Sequence, residues 1–232
     1  MSATLVPGIV AEFGHRGRAV RFFVRNLADS IQNVHANGAF YEEPELAIIE
    51  RHLKADSVYL DVGSNVGNHV VFVAKFCQPK EVIAIEPNPE AMMILQFNIL
   101  LNRLTVDTHH LGLGLSDAET SAVAAIPRNN LGGARMVEKE GGSLKLVTGD
   151  SLFAGRHIDF IKLDVEGLEL KALAGLEKTI AASRPAMFIE VDDQNRQAFD
   201  AWVSAHDYEV VENFRRYRVN ENFMLLPRER AG

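Results

Sequence analysis

Three acidic residues, each at the end of an apolar run, are the first candidates for chemistry. Asp61 opens Asp61-Val62-Gly63-Ser64-Asn65-Val66-Gly67, directly after the β-branched and aromatic run Val58-Tyr59-Leu60. Gly63 and Gly67 let the backbone turn sharply and approach a ligand, because no Cβ intrudes. Glu86 ends a second run, Val82 to Ile85, 23 positions after Gly63. An acid at that point can accept both ribose hydroxyls of a nucleoside. Asp164 ends a third run, Phe160 to Leu163, and Glu166 follows it.

Strand, glycine turn and helix make a nucleotide-binding unit, with free N–H groups at the helix start. The dinucleotide fingerprint Gly-x-Gly-x-x-Gly is not met, since Asn65 and Asn68 replace its second and third glycines. An acid at the strand end repels a pyrophosphate. It suits a ligand with a positive centre, such as S-adenosylmethionine with its ammonium and sulfonium. An ordinary strand-to-helix turn at Asp61 and a helix cap at Glu86 remain the plain alternatives.

Asp61-Val-Gly-Ser-Asn-Val-Gly-Asn-His, Ile85-Glu-Pro-Asn-Pro and Ile158-Asp-Phe-Ile-Lys-Leu-Asp-Val-Glu-Gly-Leu-Glu together resemble the FkbM family of S-adenosylmethionine-dependent methyltransferases. The resemblance runs from about Phe40 to Val191. Ser64 stands where that family more often has Ala, and Val70 where it often has Thr or Ser. The resemblance implies a Rossmann-like class I methyltransferase, a mostly parallel seven-stranded sheet with helices on both faces. It implies S-adenosyl-L-methionine as cofactor, bound by Asp61, Gly63, Ser64, Asn65, Gly67, Glu86, Pro87, Asn88, Ser116 and Asp164. Ser116 enters through a Leu-Ser-Asp tract like one in the family, where the third strand's tip lines the adenine; a plain turn is the alternative.

The chain has 232 residues, 47% of them hydrophobic, enough to bury a core as one domain. Net charge is −7, so the basic footprint of a nucleic-acid binder is missing and no nucleic-acid partner is expected. Cys77 is the single cysteine, which excludes a disulfide framework or a cysteine-rich metal centre. No stretch has the length of a membrane span, and Met1 to Val10 lacks the charge and apolar pattern of a leader. A cytoplasmic location and no membrane partner are expected.

The elements that must hold these acids follow. Residues 20–24 read as a strand and 28–37 as a short helix; residues 1–40 form an extension or, by analogy with other methyltransferases, a cap. An amphipathic helix over 44–53 buries Leu46, Ile49 and Leu53. Strands over 58–62, 82–86, 106–111, 160–164 and 186–191 alternate with helices after Gly67, over 90–101, 168–182 and 196–205, which implies parallel strands joined by crossovers. Residues 119–150 break this rhythm: strands over 122–126 and 144–148 flank a polar loop and read as an inserted hairpin or flap. Asn129, Asn130 and Arg135 could bond a polar substrate there. An antiparallel pair over 210–214 and 223–226 closes the fold, and 228–232 fray.

Methyl transfer from a sulfonium needs in-line alignment and, for a hydroxyl acceptor, removal of a proton. Asp164 and Glu166 are the catalytic candidates, and Tyr41 or Glu42 could reach the ligand. His69, His109 and His110 are alternative bases, each also readable as a histidine bonded within the fold. Asp164 with Asp192 or Asp193 could hold a divalent ion, but nothing fixes those ligands in space and no metal is expected. The expected activity is O-methylation of a small polar acceptor such as a sugar or natural-product hydroxyl. An NAD(P)-dependent oxidoreductase and a non-catalytic nucleoside-binding protein are the alternatives; Asn65 and the lack of a Tyr-x-x-x-Lys pair weigh against the first.

Overall fold

A computed structural model describes residues 6–231. The chain opens with an antiparallel hairpin, β1 (Ile9–His15) and β2 (Arg18–Val24), where the sequence suggests one strand. Two helices follow, α1 (Ser30–Ala36) and α2 (Glu43–His52). Asp29 caps α1 by accepting from the Ile31 and Gln32 amides at 3.1 and 3.0 Å.

The central unit then alternates: β3 (Val58–Val62), α3 (Asn68–Phe76), β4 (Glu81–Ile85) and α4 (Pro89–Asn102). Next come β5 (Leu113–Leu115), β6 (Thr120–Ala125), β7 (Arg135–Glu138), β8 (Leu144–Val147) and the short α5 (Gly149–Phe153). The chain returns through β9 (Phe160–Leu163), α6 (Glu169–Gly175), α7 (Glu177–Ser183), β10 (Ala186–Asp192) and α8 (Arg196–Ala205). It ends with β11 (Tyr208–Phe214) and β12 (Asn220–Pro227).

The main sheet has six strands in the order β11-β12-β10-β9-β3-β4. β4, β3, β9 and β10 run parallel, and β12 and β11 join antiparallel. The expected seventh strand over 106–111 is reduced to one bridge, Asp107 against Ile83. Asp107 turns the chain instead: its carboxylate accepts from the His109 amide at 3.0 Å and from Arg156 at 3.2 Å. Such a side-chain turn competes with the extended form. The strands expected over 122–126 and 144–148 are β6 and β8. They belong to a separate four-stranded sheet, β5-β8-β6-β7, not to a simple hairpin.

Period-two alternation sends side chains to both faces of the main sheet. Tyr59, Val82, Ala84 and Phe188 pack with α2, α3 and α4. Val58, Leu60, Val62, Ile83 and Ile189 pack with Leu173, Leu176, Ile180 and Phe199 on the other face. α4 also holds the hairpin. Asn98 accepts from the Phe23 amide at 2.6 Å and donates to the Val66 carbonyl at 2.7 Å, so one buried amide ties hairpin to glycine turn. The helix expected over 168–182 breaks at Leu176 into α6 and α7. Gly175 lies against the Ser116 backbone there, and a Cβ on it would come within 2.0 Å of the Ser116 carbonyl oxygen. The expected frayed end carries a 3-10 turn at Arg228–Arg230, with Glu229 on Arg184; Gly232 lies outside the described residues. No helix among the described residues is long and apolar enough to cross a membrane.

Candidate active site

The carboxyl ends of β3, β4, β9 and β10 converge on two adjoining cavities, where open α/β sheets place their ligands. The first spans about 540 Å³, counting space open to solvent, and is walled by Val62, Ile85, Pro87, Leu115, Leu131 and Met136, with Gly63, Asn65, Glu86, Asp164 and Glu166 supplying its polar groups. The second spans about 1090 Å³ on the same measure and shares Gly63, Asn65, Asp164 and Glu166 with the first. Its own wall includes Glu42, Ser64, His69, Lys162 and Glu190.

The glycine turn is built for close approach. Gly63 sits at φ 80°, and a Cβ there would meet the Asp164 carbonyl oxygen at 1.8 Å, so no other residue fits. Its amide and that of Ser64 donate to the Ile85 carbonyl at 3.0 and 2.9 Å, which ties the turn to the end of β4. Glu86 is fixed from the same side: its two oxygens accept from the Asn65 and Asn88 amides at 2.8 and 2.7 Å. Burial lifts its pKa to about 7, against those two amides and Lys162.

Lys162 is the residue the sequence reading passed over. A lysine alone in a buried strand was the available signal, since lysine is almost never buried unless paired. Its ammonium donates to the Gly63 carbonyl at 2.9 Å and to Asp164 at 3.2 Å, and lies 3.5 Å from Asp61. Burial works against that charge, but Asp164, Asp61 and Glu42 outweigh it and hold its pKa above the ordinary lysine value. Asp61 is fully buried beneath the site, accepting from the Tyr59 hydroxyl at 3.4 Å, and burial raises its pKa.

The expected ligand residues therefore separate. Gly63, Ser64, Asn65, Glu86, Pro87, Asp164 and Glu166 line a cavity. Asp61, Gly67, Asn88 and Ser116 line neither. Gly67 starts α3 in the left-handed conformation, and Asn88 caps α4. Ser116 is fully buried and donates to Asp117 and Glu138; Gly114 and Leu115 take the wall position instead. Asn130 reaches the second cavity, whereas Arg135 is bound to Asp192 at 2.6 Å. His109 is exposed on Asp107, and His110 packs on Phe153.

Two further segments close over the site. Asn68 accepts from the Tyr41 amide at 3.0 Å and donates to the Tyr41 carbonyl at 2.7 Å, which presents Glu42 to the second cavity. Burial and the nearby acids lift Glu42 to about 8. The loop between β6 and β7 lies opposite, its Leu131 amide donating to Asp29 at 2.8 Å. Glu166, in left-handed conformation at φ 47°, has its pKa raised by burial and by Asp164.

This donor set fits S-adenosylmethionine. Apolar walls suit the adenine, and Glu86 retains lone pairs for ribose hydroxyls. Among the described residues the first cavity's wall carries no Lys or Arg for a pyrophosphate, and its acidic lining suits a ligand with a cationic end.

The sheet order and this cleft define a Rossmann-like methyltransferase that uses S-adenosylmethionine. The chain belongs to the FkbM methyltransferase family, whose domain model matches residues 61–218. It is 31% identical to the hexuronic acid methyltransferase AglP of Haloferax volcanii over 169 residues, 71% of this chain and 67% of that protein. The fold is similar to that of the Pyrococcus abyssi tRNA (uracil-54, C5)-methyltransferase in complex with S-adenosyl-L-homocysteine, with TM-score 0.51 and 15% identity. That match covers 89% of this chain and 41% of the larger one. A Streptococcus thermophilus rRNA methylase matches with TM-score 0.50 and 13% identity, over 82% of this chain and 99% of its own.

Proposed function

We propose that this enzyme methylates a hydroxyl of a small polar acceptor, a sugar or a sugar-bearing natural product. The observation that carries this reading is the second cavity, which is lined by carboxylates and opens onto the first at Gly63, Asn65, Asp164 and Glu166. Carboxylates accept hydrogen bonds from a polyhydroxyl ligand and can take its proton. Similarity to a hexuronic acid methyltransferase supports the sugar class. The net charge of −7 and the acidic wall favour a small molecule over a nucleic acid.

In this reading Glu86 would hold the ribose hydroxyls, Gly63 to Asn65 the methionine end, and Pro87 and Leu115 the adenine. Asp61 acts through Lys162. When bound, S-adenosylmethionine would supply an electrophilic methyl group and a neutral thioether leaving group, so one hydroxyl proton would remain for the protein to remove. Glu42, which lines the same cavity, takes that proton, its pKa lifted by burial to about 8 and matching a base that works near neutral pH. Asp164, fixed by Lys162, accepts a hydrogen bond from the acceptor and orients it. The described residues make one methyltransferase domain, with residues 6–40 as an extension or cap and residues 119–150 as a flap.

The test is incubation with methyl-labelled cofactor and a panel of sugars, uronic acids, amines and RNA, with the product located by mass and NMR. Label on a sugar oxygen supports the reading; label confined to amines or RNA overturns it.

A further inference from the structure

The second cavity carries an imbalance of charge. Glu42, Asp164, Glu166 and Glu190 line it, and Lys162 is the one Lys or Arg among its described lining residues. Lys162 is already committed to Gly63, Asp164 and Asp61. Three of the acids, Asp164, Glu166 and Glu190, bring one carboxylate oxygen each within 4.8 Å of the others. Oxygens sharing one divalent ion at about 2.0–2.6 Å lie within about 5 Å of each other.

A second, independent feature points into the same space. His69 lines this cavity at only 7% exposure, and its Nε2 has no hydrogen-bond partner among the described residues. That atom lies 3.9 Å from the Glu42 carboxylate, beyond hydrogen-bond reach. A buried polar atom with no protein partner calls for a ligand or a ligand's water.

We propose that Asp164, Glu166 and Glu190 hold a divalent cation of the Mg2+ or Mn2+ class at the acceptor end of the site, with His69 and Glu42 bonded to its waters. All-oxygen ligation selects such hard ions, and they keep several waters. The outer contacts are in place. Asn220 and Asn222 donate to the two oxygens of Glu190 at 2.7 and 3.4 Å, and Lys162 holds one oxygen of Asp164. Asp192 and Asp193, the partners considered from sequence, are instead held by Arg135 and Arg215. The ion changes which acceptors fit. Without it, the acids repel a carboxylate-bearing sugar; with it, a uronate carboxylate or a pair of adjacent hydroxyls gains a cationic anchor.

This inference rests on reading the cavity as the acceptor site, and its test is separate from turnover. The full chain is stripped with chelator, dialysed and titrated with Mn2+ at saturating S-adenosylhomocysteine. Free Mn2+ is read by electron paramagnetic resonance. One equivalent should bind, and affinity should fall by at least about tenfold in Glu190→Gln. Asp193→Asn should bind like the parent. S-adenosylhomocysteine affinity, measured on the same samples, verifies the fold. No Mn2+ binding, or equal binding in Glu190→Gln, overturns the proposal and leaves the methyltransferase reading standing. Expulsion of Mn2+ by S-adenosylhomocysteine also overturns it, because the acids then belong to the methionine ammonium.

Discussion

Replacing Lys162 by methionine removes the cation beneath the site and keeps most of the side chain's bulk. Asp61, fully buried 3.5 Å from that ammonium, is left with only the Tyr59 hydroxyl at 3.4 Å. Removing one partner of a buried pair costs about 3–5 kcal/mol, because the other charge stays desolvated. The size of the loss must depend on pH. Asp61 already has a folded pKa above its unfolded value through burial, and Lys162 is the main influence holding it down. Without Lys162 it rises further. A group raised on folding favours the folded state below its unfolded pKa and loses that advantage as pH rises through the folded one. Lys162→Met should therefore lose about 3–5 kcal/mol at pH 8 and clearly less at pH 5, by urea unfolding. Adding Asp61→Asn should recover part of the loss at pH 8 and reduce its dependence on pH, the remainder coming from Glu42, Glu86 and Glu190, which Lys162 also holds down. A loss below about 1 kcal/mol at both pH values, or one that does not change with pH, would refute the buried-pair argument.

Four further outcomes are expected. Glu86→Ala should weaken cofactor binding by about 1–3 kcal/mol in calorimetry, the usual value of a lost charged hydrogen bond. Cofactor affinity should fall by up to about tenfold per pH unit below about 7, where Glu86 gains a proton; burial sets that value, with Asp164 adding to it and the Asn88 and Asn65 amides and Lys162 opposing it. A flat affinity between pH 5.5 and 8 would remove Glu86 from the ribose. Gly63→Ala should abolish cofactor binding and lower Tm, because its Cβ would meet the Asp164 carbonyl at 1.8 Å; binding close to the parent's would show that the turn yields. Asp164→Asn should cut kcat by at least about a hundredfold, far more than its loss of stability through Lys162 accounts for, and full activity would take it out of the mechanism.

The sequence exposed the parallel core because its strands are short apolar runs and its turns carry the glycines, so pattern and structure have the same cause. The second sheet was harder to see. β7 has one half-buried position, Met136, among exposed neighbours, and so lacks the alternation that marks a strand. The strand expected over 106–111 failed for a local reason, the Asp107 side-chain turn, which a propensity argument does not weigh. Of the cavity lining, Glu86, Gly63 and Asp164 were legible because each follows an apolar run, at the strand ends where open α/β sheets bind ligands. Lys162 was not singled out, because its meaning lies in Asp61 and Gly63, about a hundred residues earlier in the chain. Glu42 and His69 meet Glu190 only through the fold.

The central claim is that the cleft between Gly63 and Glu86 is the S-adenosylmethionine site of a working methyltransferase. Calorimetric titration with S-adenosylhomocysteine, run in parallel with NAD and repeated on Glu86→Ala, tests it most directly. The account predicts saturable binding of S-adenosylhomocysteine at one site, none of NAD, and a marked loss in Glu86→Ala. Binding of NAD instead, or equal affinity in Glu86→Ala, would contradict it.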